Sequence, residues 1–415
     1  MSDSTGAIML GGHRCTLLDK DQMPDERACH VFAIGSKGIP ASYGGFESFM
    51  DSLTAYRKST DLVYHVARLA KDVHRFLYHD AICYDVKVPE IGPAKSIYYD
   101  IAALKKAIEF CERNSIQNPV FFIMTCRIGP VMGHYAKRIK SIHGKLIINP
   151  DGHEWMRRKW SWPVRLYWRL SEHQMVPRAD LLTCDSVNIE AYIRTTYSKN
   201  HVRTVYIPYG AVVVEKNDSD EISTKYRNWL AKNRLRADCY YLVVARCVPE
   251  NNFDLIIREF MTSDSSKQLA IITTAGKKFL RNMEKKYHFS KDPRIRFLDA
   301  VYDRKLLTEI RCHAYAYIHG HEVGGTNPSL LEAMGCTDVS LLLDVCFNSE
   351  VARDNALYWT KNPGSLRKTI HLVEKMTDAE RNALGEGAKN RIRSAYSWDM
   401  VVRKYENVFL GRAEI

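Results

Sequence analysis

The strongest constraint on the fold is an alternation that runs through the chain and then restarts. From residue 29 onward, short runs rich in β-branched and aromatic residues take turns with longer amphipathic segments. That is the pattern of βα units feeding a parallel sheet. Residues 30–34, 62–66, 82–88, 120–125, 145–149, 181–184 and 202–207 are predicted strands of a first set. Residues 240–245, 269–274, 294–298, 314–318 and 339–344 form a second. Between the sets stands YIPYGAVVVEKNDSDEISTKY, a Pro/Gly turn running into a polar stretch, which puts a domain boundary near residue 212. The expected architecture is α/β, with two Rossmann-like, doubly wound domains (29–211 and 212–395) facing a cleft. Ligands are expected at the carboxyl ends of the strands. Residues 1–28 read as a loose polar tail, and 396–415 as an amphipathic helix that can dock on either domain.

Composition narrows the function classes. Apolar residues make up 46% and charged residues 26%, as in an ordinary globular protein, so disorder does not describe the chain. No run reaches about 18 apolar residues, the length a spanning helix needs. The start, MSDSTGAIMLGGHRC, lacks a basic region followed by a sufficient apolar stretch, so no signal peptide is expected. Eleven cysteines are an odd number without a C-x-x-C pair, and Cys83, Cys184 and Cys346 sit in apolar runs. Buried, reduced thiols of a cytosolic protein are expected, rather than a disulfide or zinc framework. The net charge of +12 asks for an acidic partner: nucleic acid, anionic lipid or a phosphorylated substrate.

Three elements carry candidate chemistry. After the first strand, Gly44 and Gly45 precede Phe46, Phe49, Met50 and Leu53, spaced as one helix face. Glycines at a helix start let an anion approach free backbone N–H groups, although a plain glycine turn has the same spelling. HGHEVGGTNPSLLEAMGC repeats the arrangement: Gly324 and Gly325, then Asn327 as N-cap and Pro328 in the first turn. Glu332 follows among Leu330, Leu331 and Met334, where a carboxylate needs donors such as sugar hydroxyls, or else snorkels to solvent. Finally, VVARCVPENNFDLIIREF puts Arg246 at a strand end, where its forked donors suit a diphosphate or a surface ion pair.

SKGIPASYGGFE, NPDGHEW, VPENN and GHEVGGTNPSLLEAM, in that order over residues 30–410, resemble retaining glycosyltransferases of family four, of the GT-B fold. The wording is similar to the rhamnosyltransferase branch that builds bacterial surface polysaccharides. The resemblance implies that Glu332 binds the donor ribose, that Arg246 holds the diphosphate and that Gly44-Gly45 lies against donor and acceptor. Two departures stand out. The family's glutamate eight residues before the ribose-binding one is Gly324 here, so Glu322, His321 or Asn327 must grip the sugar instead. The lysine five residues after the arginine is Asn251. A deoxy sugar such as rhamnose, with fewer hydroxyls, fits a changed sugar pocket.

In NPDGHEWMRRKWSWPVRLYWRL, Asp151, Gly152, His153 and Glu154 follow a strand end. The resemblance implies acceptor binding near the reacting carbon, and Asp151 could equally cap the next helix. Trp155, Trp160, Trp162 and Trp168, four of the seven tryptophans, are interleaved with Arg157, Arg158, Lys159, Arg165 and Arg169. That mixture suits an anionic headgroup layer, stacked single-stranded nucleic acid, or an internal packed helix. The membrane is preferred, because a lipid-linked acceptor must be met at the bilayer. Metal is not expected: Asp218-Ser219-Asp220 lies in the polar interdomain stretch, and the 15 histidines show no H-E-x-x-H. The sequence thus reads as a cytosolic, membrane-peripheral enzyme. It is expected to move rhamnose from a dTDP donor to a lipid-diphosphate-linked saccharide with retention and without cofactor or nucleic acid. A GT-B nucleotide-sugar epimerase and a basic nucleic-acid-binding protein are the rivals.

Overall fold

The computed structural model describes residues 6–18, 27–41, 44–215 and 222–412. The chain forms two compact units, the first of Met1–Trp155, Trp162–Tyr209 and Trp398–Ile415, the second of Met156–Ser161 and Gly210–Ser397. In the first, ten strands make one sheet: β1 (Ala7–Leu10), β2 (His13–Leu17), β3 (Cys29–Ile34), β4 (Leu62–Leu69), β5 (Arg75–Tyr78), β6 (Ala81–Val86), β7 (Val120–Met124), β8 (Lys145–Asn149), β9 (Leu181–Cys184) and β10 (Thr204–Tyr206). Their spatial order is β1-β2-β5-β6-β4-β3-β7-β8-β9-β10. From β6 to β10 every pairing is parallel, with Val31 opposite both Tyr64 and Val120. Helices cover both faces of such a sheet, so β3 and β7 are continuous apolar runs, buried almost throughout. Winding reverses between β3 and β7, which opens a crevice beyond their carboxyl ends.

The second unit carries six parallel strands: β11 (Tyr240–Val244), β12 (Gln268–Ile272), β13 (Ile295–Leu298), β14 (Ala316–His319), β15 (Ser340–Leu343) and β16 (Leu357–Trp359). Their order is β13-β12-β11-β14-β15-β16. That is the doubly wound dinucleotide-domain order, with the switch point between β11 and β14. One face packs Tyr241, Val243, Leu269, Ile271 and Leu341 against Phe253, Ile256, Ile257 and Phe260 of the helix Phe253–Met261. The two Rossmann-like units of the sequence reading are therefore present.

Four strands differ from the sequence expectation. Residues 7–17 are not a loose tail but the hairpin β1–β2, closed by Gly11 and Gly12 at φ +56 and +84. Both left-handed conformations are what a two-residue hairpin turn requires. β2 pairs antiparallel with β5, and β5 with β6, so the hairpin extends the sheet edge. Edge strands of this length bury too little to leave a clear apolar pattern, and the three-residue β16 is shorter still. The helix Trp398–Phe409 returns to the first unit: Tyr405 packs edge-on against Phe49 and Phe409 at a tilt against Phe122, with ring centroids 5.2 and 5.5 Å apart. Its Glu406 carboxylate accepts from the backbone N–H of Lys58 and Ser59 at 2.7 and 3.1 Å.

None of the eleven cysteines, all of them among the described residues, is in a disulfide. Cys83 and Cys184 are buried as expected, whereas Cys346 is exposed, because it opens the helix Cys346–Ala352. Among the described residues no helix is long and apolar enough to cross a membrane.

Candidate functional site

In the first unit the loop after β3 leads to the helix Gly45–Ala55, with Gly44 at its N-cap. The expected anion-accepting start is already filled by the protein's own carboxylate. Glu47 is buried in the first turn, and its Oε1 accepts from the Lys37 backbone N–H at 2.7 Å. A Cβ on Gly44, at φ +130, would meet Glu47 Oε2 at 1.7 Å. The glycine therefore makes room for an internal charge, which complements the helix dipole and leaves no net call for an outside anion. Deeper in the same crevice, Arg127 donates to the Gly35 carbonyl and to Thr125 Oγ1, both at 2.6 Å, and pairs with Asp100 at 3.2 Å. Burial lifts the Asp100 carboxyl to about 6, against the pull of Arg127. Arg127 thus fastens the ends of β3 and β7, a role its sequence context did not signal.

The loop after β8 holds two non-glycine residues in the left-handed region, Asp151 (φ +59) and His153 (φ +44). Strain of this kind persists only where the surroundings over-determine it. Asp151 Oδ1 accepts from the Gly152 N–H, and Asn149 Oδ1 from the Asp151 N–H, both at 2.8 Å. The His153 ring stands edge-on to Tyr192 at 4.3 Å, and burial lowers its basicity. Tyr192 in turn donates to the buried Glu172 at 2.6 Å, which also accepts from Tyr197 at 2.8 Å. Desolvation raises the Glu172 carboxyl, with the two phenols pulling the other way. Glu154 is buried in the short 3₁₀ turn Glu154–Met156. Trp155 lies under the Arg169 guanidinium, 5.4 Å from its ring centroid, and its carbonyl accepts from Arg165 at 2.8 Å.

In the second unit the candidate donor residues gather at the switch point. The loops after β11 and β14 are laced together: Glu322 N–H donates to the Glu250 carbonyl at 3.1 Å, and Asn252 Nδ2 to the Gly320 carbonyl at 2.8 Å. Asn251 Nδ2 donates to the Arg246 carbonyl at 2.7 Å, so its Oδ1, 2.8 Å from His321 Nδ1, must accept from that ring. The His321 ring therefore carries a proton on Nδ1. Burial, with His319, Arg157 and Arg246 nearby, holds His321 neutral, well below its ordinary value. A Cβ on Gly324 (φ +140) would lie 3.2 Å from His321 Nε2 and 3.4 Å from an Arg157 Nη. Arg246 itself is exposed.

Three sequence expectations change here. Glu332 does not sit in apolar company: the helix Pro328–Met334 turns its leucines and methionine inward and leaves Glu332 46% exposed. It pairs at 2.7 Å with the buried Arg311, a partner the sequence did not reveal. Glu322, offered as a sugar-gripping group, is already engaged by Lys361 and by Asn252 Nδ2 at 3.0 Å. Asn327 is likewise occupied, since its Oδ1 caps the helix by accepting from the Ser329 N–H at 2.9 Å. Of the three candidates, His321 turns Nε2 toward Gly324. Gly325 lies in the same turn.

The basic tryptophan segment also changes. Arg157 is only 9% exposed and belongs to the second unit, not to a free cationic surface. Lys159 is fixed by its backbone N–H, which donates at 2.9 Å to the fully buried Glu250 carboxylate, and its ammonium lies over Trp160. Arg158 is exposed, 4.0 Å from Glu322. Residues 157–161 are not helical, whereas Trp162, Arg165, Trp168 and Arg169 of the same stretch lie on the helix Trp162–Met175. The apolar surface lies just beyond, on the helix Trp162–Met175, where Trp162, Leu166 and Leu170 are 72%, 41% and 53% exposed. Asp218-Ser219-Asp220 lie outside the described residues, among which no three His, Cys, Asp or Glu side chains converge to hold a metal.

A family described as a domain of unknown function, DUF1972, matches residues 28–212. No curated protein matches the sequence. Sucrose-phosphate synthase from Thermosynechococcus elongatus superposes with a TM-score of 0.72 at 14% identity, over 92% of this chain and 98% of that one. The E. coli trehalose-6-phosphate structure bound with UDP-2-fluoro glucose gives 0.68 at 11%, over 94% and 100%. Anabaena HepE in complex with UDP and glucose gives 0.66 at 12%, over 92% and 99%. At these identities the likeness establishes the fold, that of the GT-B glycosyltransferases with two Rossmann-like domains.

Proposed function

We propose that the protein is a glycosyltransferase whose second unit binds a nucleotide-sugar donor. The observation that carries this reading is the placement of Arg246 after β11, of His321 and Gly324 after β14, and of Glu332 on the helix that follows, all beside the β11–β14 switch point, where doubly wound sheets take nucleotides. Glu332 spends one oxygen on Arg311 and keeps its exposed side for ribose hydroxyls. HepE bound to UDP and glucose, on the same fold, supports the substrate class. The finer reading is transfer of rhamnose from dTDP-rhamnose to a lipid-diphosphate-linked saccharide, with retention. The bond from the anomeric carbon to the diphosphate oxygen breaks and its electron pair stays on that oxygen. The acceptor hydroxyl oxygen bonds on the same face, and its proton passes to the leaving diphosphate. Guanidinium groups, in place of a metal, offset the developing charge. Asp151, His153 and Glu154 are assigned to the acceptor.

Calorimetry with dTDP-, UDP- and GDP-sugars tests the reading. One donor is expected to bind, and Glu332→Gln to weaken it at least about tenfold, the loss of a charge-assisted hydrogen bond. Binding of none refutes the proposal, and unchanged binding in the variant removes Glu332 from the site.

Work at the cytoplasmic face of a membrane follows from a lipid-linked acceptor. The surface assigned to it is the exposed row Trp162, Leu166 and Leu170, one helix face, flanked by Arg165 and Arg169. Replacing the three by serine is expected to abolish binding to phosphatidylglycerol vesicles while leaving nucleotide affinity intact. Undiminished vesicle binding refutes this surface.

A further inference from the structure

Arg311 is a cation that the sequence hides. It lies in the last turn of the helix Arg304–Cys312, with a side chain only 5% exposed. Water does not reach a charge held there, so it must be met by a carboxylate and by hydrogen-bond acceptors. Glu332 Oε2 supplies the first at 2.7 Å, and Ser329 Oγ, accepting from an Arg311 Nη at 3.2 Å, the second. Ser329 in turn donates to the Val244 carbonyl at 3.2 Å. The guanidinium therefore ties the helix Pro328–Met334 to the last residue of β11, at the switch point.

That tie divides the Glu332 carboxylate. Oε2 is committed to a buried cation, whereas Oε1 has no hydrogen bond to another described residue, on a side chain 46% exposed. A carboxylate with both oxygens open can bond a vicinal diol, one oxygen to each hydroxyl. Breaking the pair to a buried guanidinium is costly, so Oε2 stays with Arg311 and Oε1 alone is offered to a ligand.

We infer that Arg311 is a positioning residue that sets the sugar specificity of the donor site: by holding Glu332 Oε2 it leaves one acceptor for the ribose, so the site reads one hydroxyl and takes 2′-deoxyribose as readily as ribose. This assignment rests on the glycosyltransferase reading and deepens it. A donor built on deoxyribose, as dTDP is, forfeits no bond at Glu332.

The test is calorimetry on the full chain with nucleotide pairs that differ only in the 2′-hydroxyl: UDP with dUDP, ribothymidine diphosphate with dTDP, GDP with dGDP. Wild type is expected to bind both members of one pair within about twofold, and Glu332→Gln to weaken both equally, about tenfold. Arg311→Met opens both carboxylate oxygens, and the ribonucleotide is then expected to bind about tenfold more tightly than its deoxy partner. Arg311→Lys, which puts a cation back opposite Oε2, is expected to hold the ratio near that of wild type. A ratio as high as that of Arg311→Met overturns the assignment, and so does an unaltered ratio in folded Arg311→Met. A ribose preference of about tenfold in wild type overturns it as well. If Arg311→Met does not fold, Glu332→Gln carries the test: a larger loss for the ribonucleotide shows that Glu332 reads both hydroxyls and overturns the assignment. Unchanged binding of both nucleotides in Glu332→Gln makes the ion pair a structural one and overturns it too. Wild type that binds no nucleoside diphosphate overturns the donor reading itself.

Discussion

Both halves of the chain place two glycines ahead of a helix, and the two pairs meet opposite charges. At Gly44 the neighbour is the Glu47 carboxylate, turned back on the helix start and bonded to the Lys37 N–H. At Gly324 the neighbours are the Arg157 guanidinium and a neutral histidine. The spelling is alike, and the backbone is left-handed in both. Missing side chains therefore report only that something comes close. Whether that something is the protein's own charge or a ligand's is set by groups from elsewhere in the chain. The second helix, Pro328–Met334, has seven residues, so the case for an anion there rests on side-chain cations rather than on a helix dipole.

The contrast breaks most directly by substituting both glycines. Gly44→Ala is expected to cost the most stability: a Cβ at +130° strains the backbone by about 1–3 kcal/mol and displaces the Glu47 carboxylate from its buried bond for roughly 1 kcal/mol more. Urea unfolding reads this as a lower midpoint at constant slope, with nucleotide affinity unchanged. Gly324→Ala strains the backbone too, but its methyl meets only the flexible end of Arg157 and the rim of His321. It is expected to lower nucleoside diphosphate affinity about tenfold, as one charge-assisted contact is lost. Equal affinity losses in the two folded variants would show that both glycine starts serve the donor.

How far the sequence shows these features depends on burial. The central strands β3, β7, β11 and β14 are covered on both faces, so each is a continuous apolar run that spelling reveals. The hairpin β1–β2 and strand β5 lie at an edge and alternate too briefly, although Gly11-Gly12 was a usable turn signal. Arg246 could be placed just beyond a strand end from spacing alone, whereas His321 came into view only through the departure at Gly324 from the family pattern. The orientation of Glu332 was not legible, since a seven-residue helix can turn either face inward until Arg311, 21 residues earlier, fixes it. Arg157 was misread for a related reason. Its segment forms no helix, and its anchor Glu250 lies far along the chain, so local spacing pointed to a surface.

The two units also bury imidazoles differently, and acid separates them by a smaller effect. In the first unit, burial, together with His30 and Arg75, holds His65 well below its ordinary value. In the second, desolvation alone brings His319 to about 3, and His321 lies beside it with ring centroids 6.0 Å apart. A histidine with a lowered folded value binds its proton only when unfolded. Its stabilising contribution is therefore complete above the ordinary value of about 6.5 and is lost as the pH falls below that, at up to about 1.4 kcal/mol per pH unit. His319 is the one to change, because its Nε2 is buried without a hydrogen-bond partner. In His319→Leu the unfolding free energy, from urea titrations between pH 7 and 4.5, should fall less steeply than in wild type. The difference should approach one proton's slope, whatever the two stabilities are at pH 7. Parallel pH curves would mean that His319 is solvated enough to be protonated in the folded protein.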